Sequence, residues 1–457
     1  DAKELLEKYP VDLVRFYFMW KSSPIEPLNF SPEELMSRPY QVLSTLYHLH
    51  LYYKQNSEYD KFDETKTIQW AKENNLLQSP DIWLLSKLQK LIHNSNELND
   101  KCRFHEAAKS LEDFIINSLS QIYIPITRGE LWDEDESKQS RRFAIYVVLH
   151  EILKTLDILI HPICPFSSEY LYQTTFRKEQ SILLDSWPKI QESLVSEKIE
   201  ESFDLLKEVV SVSSAARMKG KLKRRWPLNE SLICIKKGEK SKLESLSDLL
   251  KTQLNVEKFT AFEIENFSGL EQVTEFEKLG LPFVPKIEMD RKKIGPKAKQ
   301  HMGELLQKFS QTKPEEIISS LQKDQKFSFD IDGEKIILEN DDFIIDFDAK
   351  DGFAVAKRNT FVVFISTERN SEMMARGLIK DIARRLQTLR KERGYNPTDI
   401  LNKASILELD SESIEMIKPK KEELAFLVRV KEVDFEESCK SYKDDDIDGQ
   451  KIRISVE

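Results

Sequence analysis

Residues 141–160 read RRFAIYVVLHEILKTLDILI, and this stretch decides how the first part of the chain folds. Its apolar residues recur at spacings of three and four, the period of one face of an α-helix. They are Ile145, Val148, Leu149, Ile152, Leu156 and Leu159. Three charged residues lie within the stretch, namely Glu151, Lys154 and Asp157. The pattern therefore indicates a buried core helix rather than a membrane span.

Two neighbouring segments show the same helical period. The first contains Leu84, Leu85, Leu88, Leu91 and Ile92, and the second contains Leu111, Phe114, Ile115, Leu119 and Ile122. Ser31 followed by Pro32 predicts the start of a further helix that runs through Leu46. Several long helices bury their apolar faces most simply as an antiparallel bundle. We therefore predict a mostly α-helical bundle over residues 1–190.

Beyond residue 190 the pattern changes. Residues 191–201 are polar and predict a linker, and short β-like runs then alternate with helices, which is typical of α+β modules. We predict one small α+β module with a basic segment over 191–270 and a second module with an acidic tail over 271–457. No internal repeat of fixed period is found. The tail carries a run of like charges, which predicts a solvated, disordered end: Asp444, Asp445, Asp446 and Asp448.

Composition excludes several classes of protein. The 457 residues are 40% hydrophobic with a net charge of −10, which excludes a disordered chain. The four cysteines lie far apart without a CxxC pair, which argues against a zinc ribbon and a secreted disulfide framework: Cys102, Cys164, Cys234 and Cys439. We predict reduced thiols in a cytoplasmic protein. The N-terminus lacks a signal-peptide pattern, and because it begins with Asp1 we expect a part of a longer protein.

A search for an enzyme centre finds none of the common motifs. The seven histidines form no HExxH, and there is no phosphate loop and no GxGxxG. With only 12 glycines, a fold built on glycine-rich phosphate loops is disfavoured. We predict that this chain has no catalytic residues, no metal site and no cofactor of its own.

The strongest local signal is a dense group of cations in an otherwise acidic chain. Six of them lie between residues 217 and 225, followed at once by Trp226: Arg217, Lys219, Lys221, Lys223, Arg224 and Arg225. A polyanion would relieve their mutual repulsion and release its counterions. The tryptophan would stack on an unpaired base, a contact of about 1–3 kcal/mol. The alternative is a solvated loop that leads into a strand, with Trp226 as part of the core.

Residues 371–393 predict a helix with a second basic face. On a helical wheel the apolar residues Met374, Leu378, Ile382, Leu386 and Leu389 form one stripe, and the opposite face carries Arg376, Lys380, Arg384 and Lys391. This face either contacts phosphates or is simply solvated. Aromatic residues gather in the first part of the chain, including Tyr52, Tyr53, Tyr123 and Trp132. Most belong to a bundle core, and a few would line a pocket for splayed bases.

Several segments resemble the class I aminoacyl-tRNA synthetases. Residues 4–17, ELLEKYPVDLVRFY, and residues 22–31 resemble the segment that follows the KMSKS loop in that family. The runs 81–88, 111–132 and 162–170 resemble its anticodon-binding bundle. Three further segments resemble the isoleucine branch of the family: residues 216–228 (ARMKGKLKRRWPL), residues 254–256 (LNV) and residues 376–391. The resemblance covers nearly the whole chain.

The resemblance implies the C-terminal region of an isoleucine–tRNA ligase of the archaeal or eukaryotic type, with an anticodon-binding bundle and an α+β extension. The implied partners are tRNA(Ile) and an upstream catalytic domain of the same polypeptide that uses ATP and Mg²⁺, with no membrane and no DNA. The implied tRNA contacts are the two basic groups above together with Arg128 and Trp132. The HIGH and KMSKS elements and the terminal cysteine zinc site of the bacterial form are absent. The alternatives are a valine– or leucine–tRNA ligase region, or a protein-interaction scaffold.

Overall fold

The computed structural model describes residues 2–23, 25–133, 135–176, 180–331, 333–396, 399–435, 441–447 and 449–457. The predictions that concern Cys439 and Asp448 lie outside these residues. The chain forms two compact units, Asp1–Phe203 and Asp204–Glu457. Among the described residues, no helix combines the length and the apolar character needed to cross a membrane.

The first unit is helical, as predicted. Its α-helices are α1 Ala2–Lys8, α2 Val11–Lys21, α3 Pro32–Leu35, α4 Arg38–Tyr59, α5 Ile68–Glu73, α6 Ser79–Asp100, α7 Phe104–Asp113, α8 Ile124–Leu131, α9 Gln139–Ile160 and α10 Pro165–Thr175. The segment Phe114–Tyr123 between α7 and α8 is π-helical. Three short 3₁₀ turns cover Glu136–Lys138, Ile182–Leu184 and Glu192–Leu194. The helical bundle followed by α+β modules confirms the predicted fold class.

Two local predictions in this unit need correction. The Ser31 hydroxyl caps a helix by accepting the Glu34 N–H at 3.2 Å, as predicted, but that helix ends at Leu35 and a separate one begins at Arg38. The predicted linker is packed instead: Leu194 is buried, and a long helix already begins at Glu197. Polar composition misled here because the segment buries only a few side chains.

Asp81 organises a buried polar network in the bundle. Its carboxylate accepts the Tyr123 hydroxyl at 2.6 Å, the Arg141 guanidinium at 2.6 Å and the Gln78 N–H at 2.7 Å. Arg141 also pairs with Glu130 at 2.6 Å. Breaking such a network would leave a buried charge without a partner, at about 3–5 kcal/mol. Asp81 and Tyr123, which carry the family resemblance, thus have structural roles.

The second unit mixes helices and strands. Its helices are α11 Glu197–Lys219, which crosses the boundary between the units, then α12 Lys240–Glu244, α13 Ser247–Leu254, α14 Gly269–Leu279, α15 Arg291–Ala298, α16 Met302–Gln311, α17 Pro314–Asp324, α18 Ser371–Glu392, α19 Ser411–Ile417 and α20 Lys421–Val428. Its strands are β1 Leu228–Lys236, β2 Val256–Ile264, β3 Phe283–Met289, β4 Lys326–Ile331, β5 Glu334–Glu339, β6 Phe343–Ala349, β7 Phe353–Arg358, β8 Phe361–Ser366, β9 Leu401–Leu407, β10 Val430–Asp434, β11 Lys443–Ile447 and β12 Gln450–Val456.

Two four-stranded sheets dominate this unit. One has the order β2-β1-β8-β7 and the other β10-β9-β12-β11, while β3 pairs with β6 and β4 with β5. The first sheet takes strands from both sides of residue 270, where the prediction divides the two α+β modules. One apolar core lies under that sheet and includes Val273, Phe276 and Phe364, and another includes Ile382, Ile406 and Ile454.

The acidic tail is ordered where it is described, which corrects the prediction. Asp444, Asp445 and Asp446 lie on β11, the edge strand of the second sheet. Asp445 accepts a hydrogen bond from Arg385 at 3.1 Å. Edge strands tolerate charged side chains because one side of the strand faces solvent.

Candidate nucleic-acid interface

The predicted basic segment forms the connection between α11 and β1. We call residues 219–226 the basic loop. Helix α11 ends with the Gly220 N–H donating to the Ala216 carbonyl at 2.9 Å and the Leu222 N–H donating to the Arg217 carbonyl at 2.8 Å. Gly220 is needed because a Cβ there would lie 3.0 Å from the Cβ of Ala354. The loop therefore leaves the helix in a tight, fixed turn.

Lys221 has a backbone conformation that is unusual for lysine. Its φ of +53° lies in the left-handed region, where a helix normally ends with glycine. An L-residue with a Cβ is strained in this region. The side chain is exposed, so packing does not explain the choice of lysine. Lys221 therefore holds an exposed charge on a backbone in the left-handed region.

Arg217 is not part of the exposed surface, which corrects its assignment as an RNA contact. Its side chain is buried, and the guanidinium donates to four carbonyl oxygens: Lys223 at 3.0 Å, Trp226 at 2.8 Å, Leu254 at 2.7 Å and Asn255 at 3.1 Å. Burial lowers the pKa of Arg217 to about 10, so it stays charged at neutral pH. The residue ties the basic loop to the end of α13.

Lys223 and Arg225 face a carboxylate within the protein. Asp381 on α18 is only 1% exposed and pairs with both, with the Lys223 Nζ 4.0 Å from its Oδ2. Desolvation lowers the pKa of Lys223 and of Arg225, and repulsion from neighbouring arginines lowers both further. One acid thus holds two cations, and these two are half-buried rather than free for RNA.

Trp226 is also engaged by the protein. The Arg369 guanidinium lies 3.9 Å from the ring centroid and the Lys223 ammonium lies 5.1 Å from it. On α18, a Cβ at Gly377 would come within 3.0 Å of the Trp226 Cδ1 atom. The half-buried ring therefore packs on α18, and the prediction of base stacking by Trp226 loses its geometric basis.

Three cations of the basic loop remain exposed: Lys219, Lys221 and Arg224. Within the part of the chain that the structure describes, none of the three forms an ion pair. The pKa of Asp348 is lowered mainly by Lys286 and to a smaller degree by Lys219, so Lys219 has an acid within electrostatic range. These three side chains lie on a loop whose backbone Arg217 fixes, a suitable arrangement for binding phosphates.

The basic face predicted on α18 is only partly free. Arg376 pairs with Glu257 and with Glu372, both at 2.7 Å, and the Lys380 ammonium lies 3.4 Å from the Asn255 side-chain oxygen. Arg384 and Lys391 are exposed and form no ion pair among the described residues. The apolar stripe is rotated from the prediction, because Met374 is exposed.

Ile382, Leu386 and Leu389 are buried as predicted, and the buried positions also include Ala375, Ile379, Ala383 and two charged residues, Asp381 and Arg390. The helix packs on the basic loop as well as on its own sheet, so its buried surface is wider than one stripe. Sequence reasoning missed Asp381 and Arg369. The available signal for Asp381 was an acid in the middle of a basic helix, away from the terminal acids Glu372 and Glu392.

Arg128 and Trp132 lie together at the end of α8 in the first unit. The Arg128 guanidinium lies 5.8 Å from the centroid of the half-buried Trp132 ring, and the arginine itself is exposed. Burial raises the pKa of the nearby Tyr52 to about 12, and the charge of Arg128 opposes part of this shift. The pair presents a cation and a partly open ring, which suits contact with a phosphate or a base.

Among the described residues, no group of three or more His, Cys, Asp or Glu side chains is arranged to hold a metal ion. The geometry described above contains cations, aromatic rings and buried ion pairs. Exposed cations and partly open rings are groups that can bind polyanions.

Comparison with known proteins shows what this chain is similar to. Residues 81–232 match the family described as the anticodon-binding domain of tRNA ligase, and this range includes the basic loop. The chain is 27% identical to the isoleucine–tRNA ligase of Methanopyrus kandleri over 403 residues, which are 87% of this chain and 35% of that protein. It is 25% identical to the isoleucine–tRNA ligase of Clostridium tetani, covering 100% of this chain and 42% of that protein.

The chain thus spans about two fifths of the length of the relatives it matches. Because relatives from Methanopyrus and Clostridium match at similar identity, the archaeal or eukaryotic subtype stays a prediction. A LeuRS chain solved in a ternary complex with tRNA and LeuAMS from Agrobacterium radiobacter K84 shares 18% identity, with a TM-score of 0.34 over 43% of this chain and 21% of that one. That score is too low to argue for a shared fold. The chain is thus similar to the C-terminal part of isoleucine–tRNA ligases, and its residues 81–232 match the anticodon-binding domain of tRNA ligases.

Proposed function

We propose that this chain is the tRNA-binding part of an isoleucine–tRNA ligase and that it recognises the anticodon arm of tRNA(Ile). One observation carries the proposal. The range that matches the anticodon-binding domain includes a loop that is hydrogen-bonded to the buried Arg217 and has three exposed cations, Lys219, Lys221 and Arg224. Backbone phosphates bind such cations and release counterions, which makes the affinity depend on salt.

In this proposal the bond-making steps belong to another part of the protein. An upstream catalytic domain of the same polypeptide would use ATP and Mg²⁺ to activate isoleucine, in the cytoplasm, and then attach it to the tRNA. This chain would supply binding energy and orientation, which place the distant acceptor end of the tRNA. Arg128 and Trp132 would contribute from the bundle, and Arg384 and Lys391 from α18.

A filter-binding experiment tests anticodon recognition. The purified chain is titrated with a tRNA(Ile) transcript and with the same transcript carrying a different anticodon. We expect the exchanged anticodon to weaken binding at least tenfold, and we expect the affinity for the cognate tRNA to fall steeply with added salt. Equal binding of every tRNA would reject anticodon recognition.

A protein-interaction scaffold is the alternative from a different class, and charge reversal separates the two. The suitable positions are Lys219, Lys221 and Arg224, each changed to Glu, because Lys223 and Arg225 already pair with Asp381. Changing those two as well would disturb the fold. We expect the triple variant to lose tRNA affinity while keeping its thermal transition. An unchanged affinity would favour the scaffold.

A further inference from the structure

The second unit contains the same connectivity twice. In the first instance α11 leads to β1, two short helices and then β2, which lies parallel to β1. In the second instance α18 leads to β9, two short helices and then β10, which lies parallel to β9. Each instance is completed by an antiparallel hairpin, β7-β8 or β11-β12, whose second strand pairs antiparallel with the first strand of the motif. The sheet orders β2-β1-β8-β7 and β10-β9-β12-β11 are therefore the same.

The turn after the long helix contains the same three backbone hydrogen bonds in both instances. In the first instance the N–H groups of Gly220, Lys221 and Leu222 donate to the carbonyls of Ala216, Met218 and Arg217 at 2.9, 3.1 and 2.8 Å. In the second, the N–H groups of Arg393, Gly394 and Tyr395 donate to the carbonyls of Leu389, Lys391 and Arg390 at 3.0, 3.1 and 3.1 Å. Lys221 and Gly394 occupy the same left-handed position, with φ of +53° and +79°.

A buried arginine performs the same task in both instances. Arg217 donates to carbonyls six and nine residues further along the chain, those of Lys223 and Trp226. Arg390 likewise donates to the carbonyls six and nine residues further along, those of Asn396 and Asp399, at 3.2 and 2.7 Å.

Each arginine also reaches the end of the last short helix. Arg217 donates to the carbonyls of Leu254 and Asn255, and Arg390 to those of Val428 and Arg429. Asn255 and Arg429 are both left-handed, with φ of +53° and +55°. The first strand of each copy, β1 or β9, begins with an N–H that donates to the carbonyl of this left-handed residue: Leu228 to Asn255 at 3.1 Å and Leu401 to Arg429 at 3.0 Å.

We infer that the second unit contains two copies of one module, and that Arg217 is a positioning residue that holds the basic loop of the first copy in its RNA-binding shape. Residues 265–352, which include β3 to β6, are an insertion between β2 and β7 of the first copy. The two copies differ in the charge of the loop. The inference rests on the proposed function, because the ligand of the loop is the tRNA phosphate backbone.

The loop sequences show how the copies have diverged. The first copy has KGKLKRRWPL over residues 219–228, and the second has ERGYNPTDIL over residues 392–401. At the left-handed position the second copy has the glycine that sterics favour, while the first has an exposed lysine. The first copy thus has an exposed cation, Lys221, at a position where the backbone is strained. The second supplies α18, on which Asp381 and Gly377 hold the loop of the first copy.

The duplication provides its own control experiment. Arg217→Lys and Arg390→Lys each keep the charge but remove the planar group that reaches four carbonyls. Both variants are made in the full chain, and we measure the thermal transition and the affinity for tRNA(Ile) at several salt concentrations. We expect similar decreases in Tm for both. We expect R217K to weaken tRNA binding at least fivefold and to reduce the salt slope, and R390K to change the affinity less than twofold.

Equal effects of the two variants on tRNA affinity, or no effect of R217K, would overturn the inference. If R217K fails to fold, Asn255→Gly and Arg429→Gly replace the pair. Asn255 donates to the Arg224 carbonyl at 3.2 Å, and glycine retains the positive φ. We expect the first to weaken tRNA binding and the second to leave it unchanged, and the reverse order would also contradict the inference. If the unmodified chain does not bind tRNA at all, the proposed function itself fails.

Discussion

The two copies of the module have the same strand order and the same hydrogen bonds in the turn after the long helix, but the loop that follows carries different side chains. In both, a buried arginine fixes the turn between helix and strand through four carbonyl oxygens. In the first copy this turn exposes Lys219, Lys221 and Arg224, while the matching range 392–398 begins with Glu392. The hydrogen-bonded framework of the loop is therefore independent of its charge, and only the positively charged loop of the first copy has a candidate ligand.

Removing the exposed charge of the first copy should have the largest effect. The triple variant Lys219→Ala, Lys221→Ala and Arg224→Ala should lower the affinity for tRNA(Ile) about 100-fold, at about 1 kcal/mol for each lost charged contact. The salt slope should fall by about 2–3, one contact for each cation. Filter binding over a series of salt concentrations measures both quantities.

A matched control comes from the insertion. Lys323, Lys326 and Lys335 are exposed there, and their replacement by alanine removes the same total charge. If this control variant lost as much affinity as the loop variant, binding would depend on net charge rather than on the first copy.

The contact between the copies should show the next largest effect, on stability. Asp381→Asn removes the carboxylate that pairs with the half-buried Lys223 and Arg225. We expect a loss of about 2 kcal/mol in the free energy of unfolding, less than for a fully buried pair because the two cations keep some solvent. Asp445→Asn, which removes the more exposed pair with Arg385, should cost less than about 1 kcal/mol. Urea denaturation compares the two variants, and equal losses would refute the special role of Asp381.

Gly377→Ala tests the same contact through packing. The added methyl would lie 3.0 Å from the Trp226 ring, so the ring or the helix must shift, at about 1–2 kcal/mol. Gly303→Ala serves as control, because nothing lies within 4 Å of a Cβ there and helix α16 should gain about 0.5–1 kcal/mol. The two variants should therefore shift Tm in opposite directions. A stabilising Gly377→Ala would show that Trp226 does not pack on α18.

The smallest expected effect comes from exchanging the left-handed residues of the two copies. Lys221→Gly relieves backbone strain and should raise the free energy of unfolding by up to about 1 kcal/mol, while it lowers tRNA affinity a few-fold. Gly394→Lys should lower stability by about 1 kcal/mol and leave tRNA binding unchanged. Thermal unfolding and filter binding together reveal the opposite signs. A Lys221→Gly variant with normal tRNA affinity would remove Lys221 from the interface.

The sequence predicted the long helices and the change to α+β structure because a helical stripe of buried residues leaves a clear period. It did not reveal strands such as β9 and β10, in which buried and exposed residues only partly alternate. The aspartates of β11 were predicted to be disordered because a run of like charges is typical of a solvated tail. The sequence did not show that these residues form an edge strand, where charged side chains can face solvent.

The sequence does not reveal the duplication, and the reason is physical. Arg217 and Arg390 bind main-chain carbonyls, which every residue supplies, so the repeated geometry requires very few repeated side chains. The insertion at residues 265–352 also removes any fixed period. Likewise, the cluster of six cations was evident in the sequence, but charge alone could not separate the buried Arg217 from the exposed Lys221.

Amide hydrogen exchange with and without tRNA(Ile) tests the central claim most directly, because both copies are observed in one sample. We predict that tRNA slows exchange in residues 219–226 of the first copy and leaves residues 393–396, the loop of the second copy after α18, unchanged. Equal protection of the two loops, or protection of the second loop alone, would contradict it.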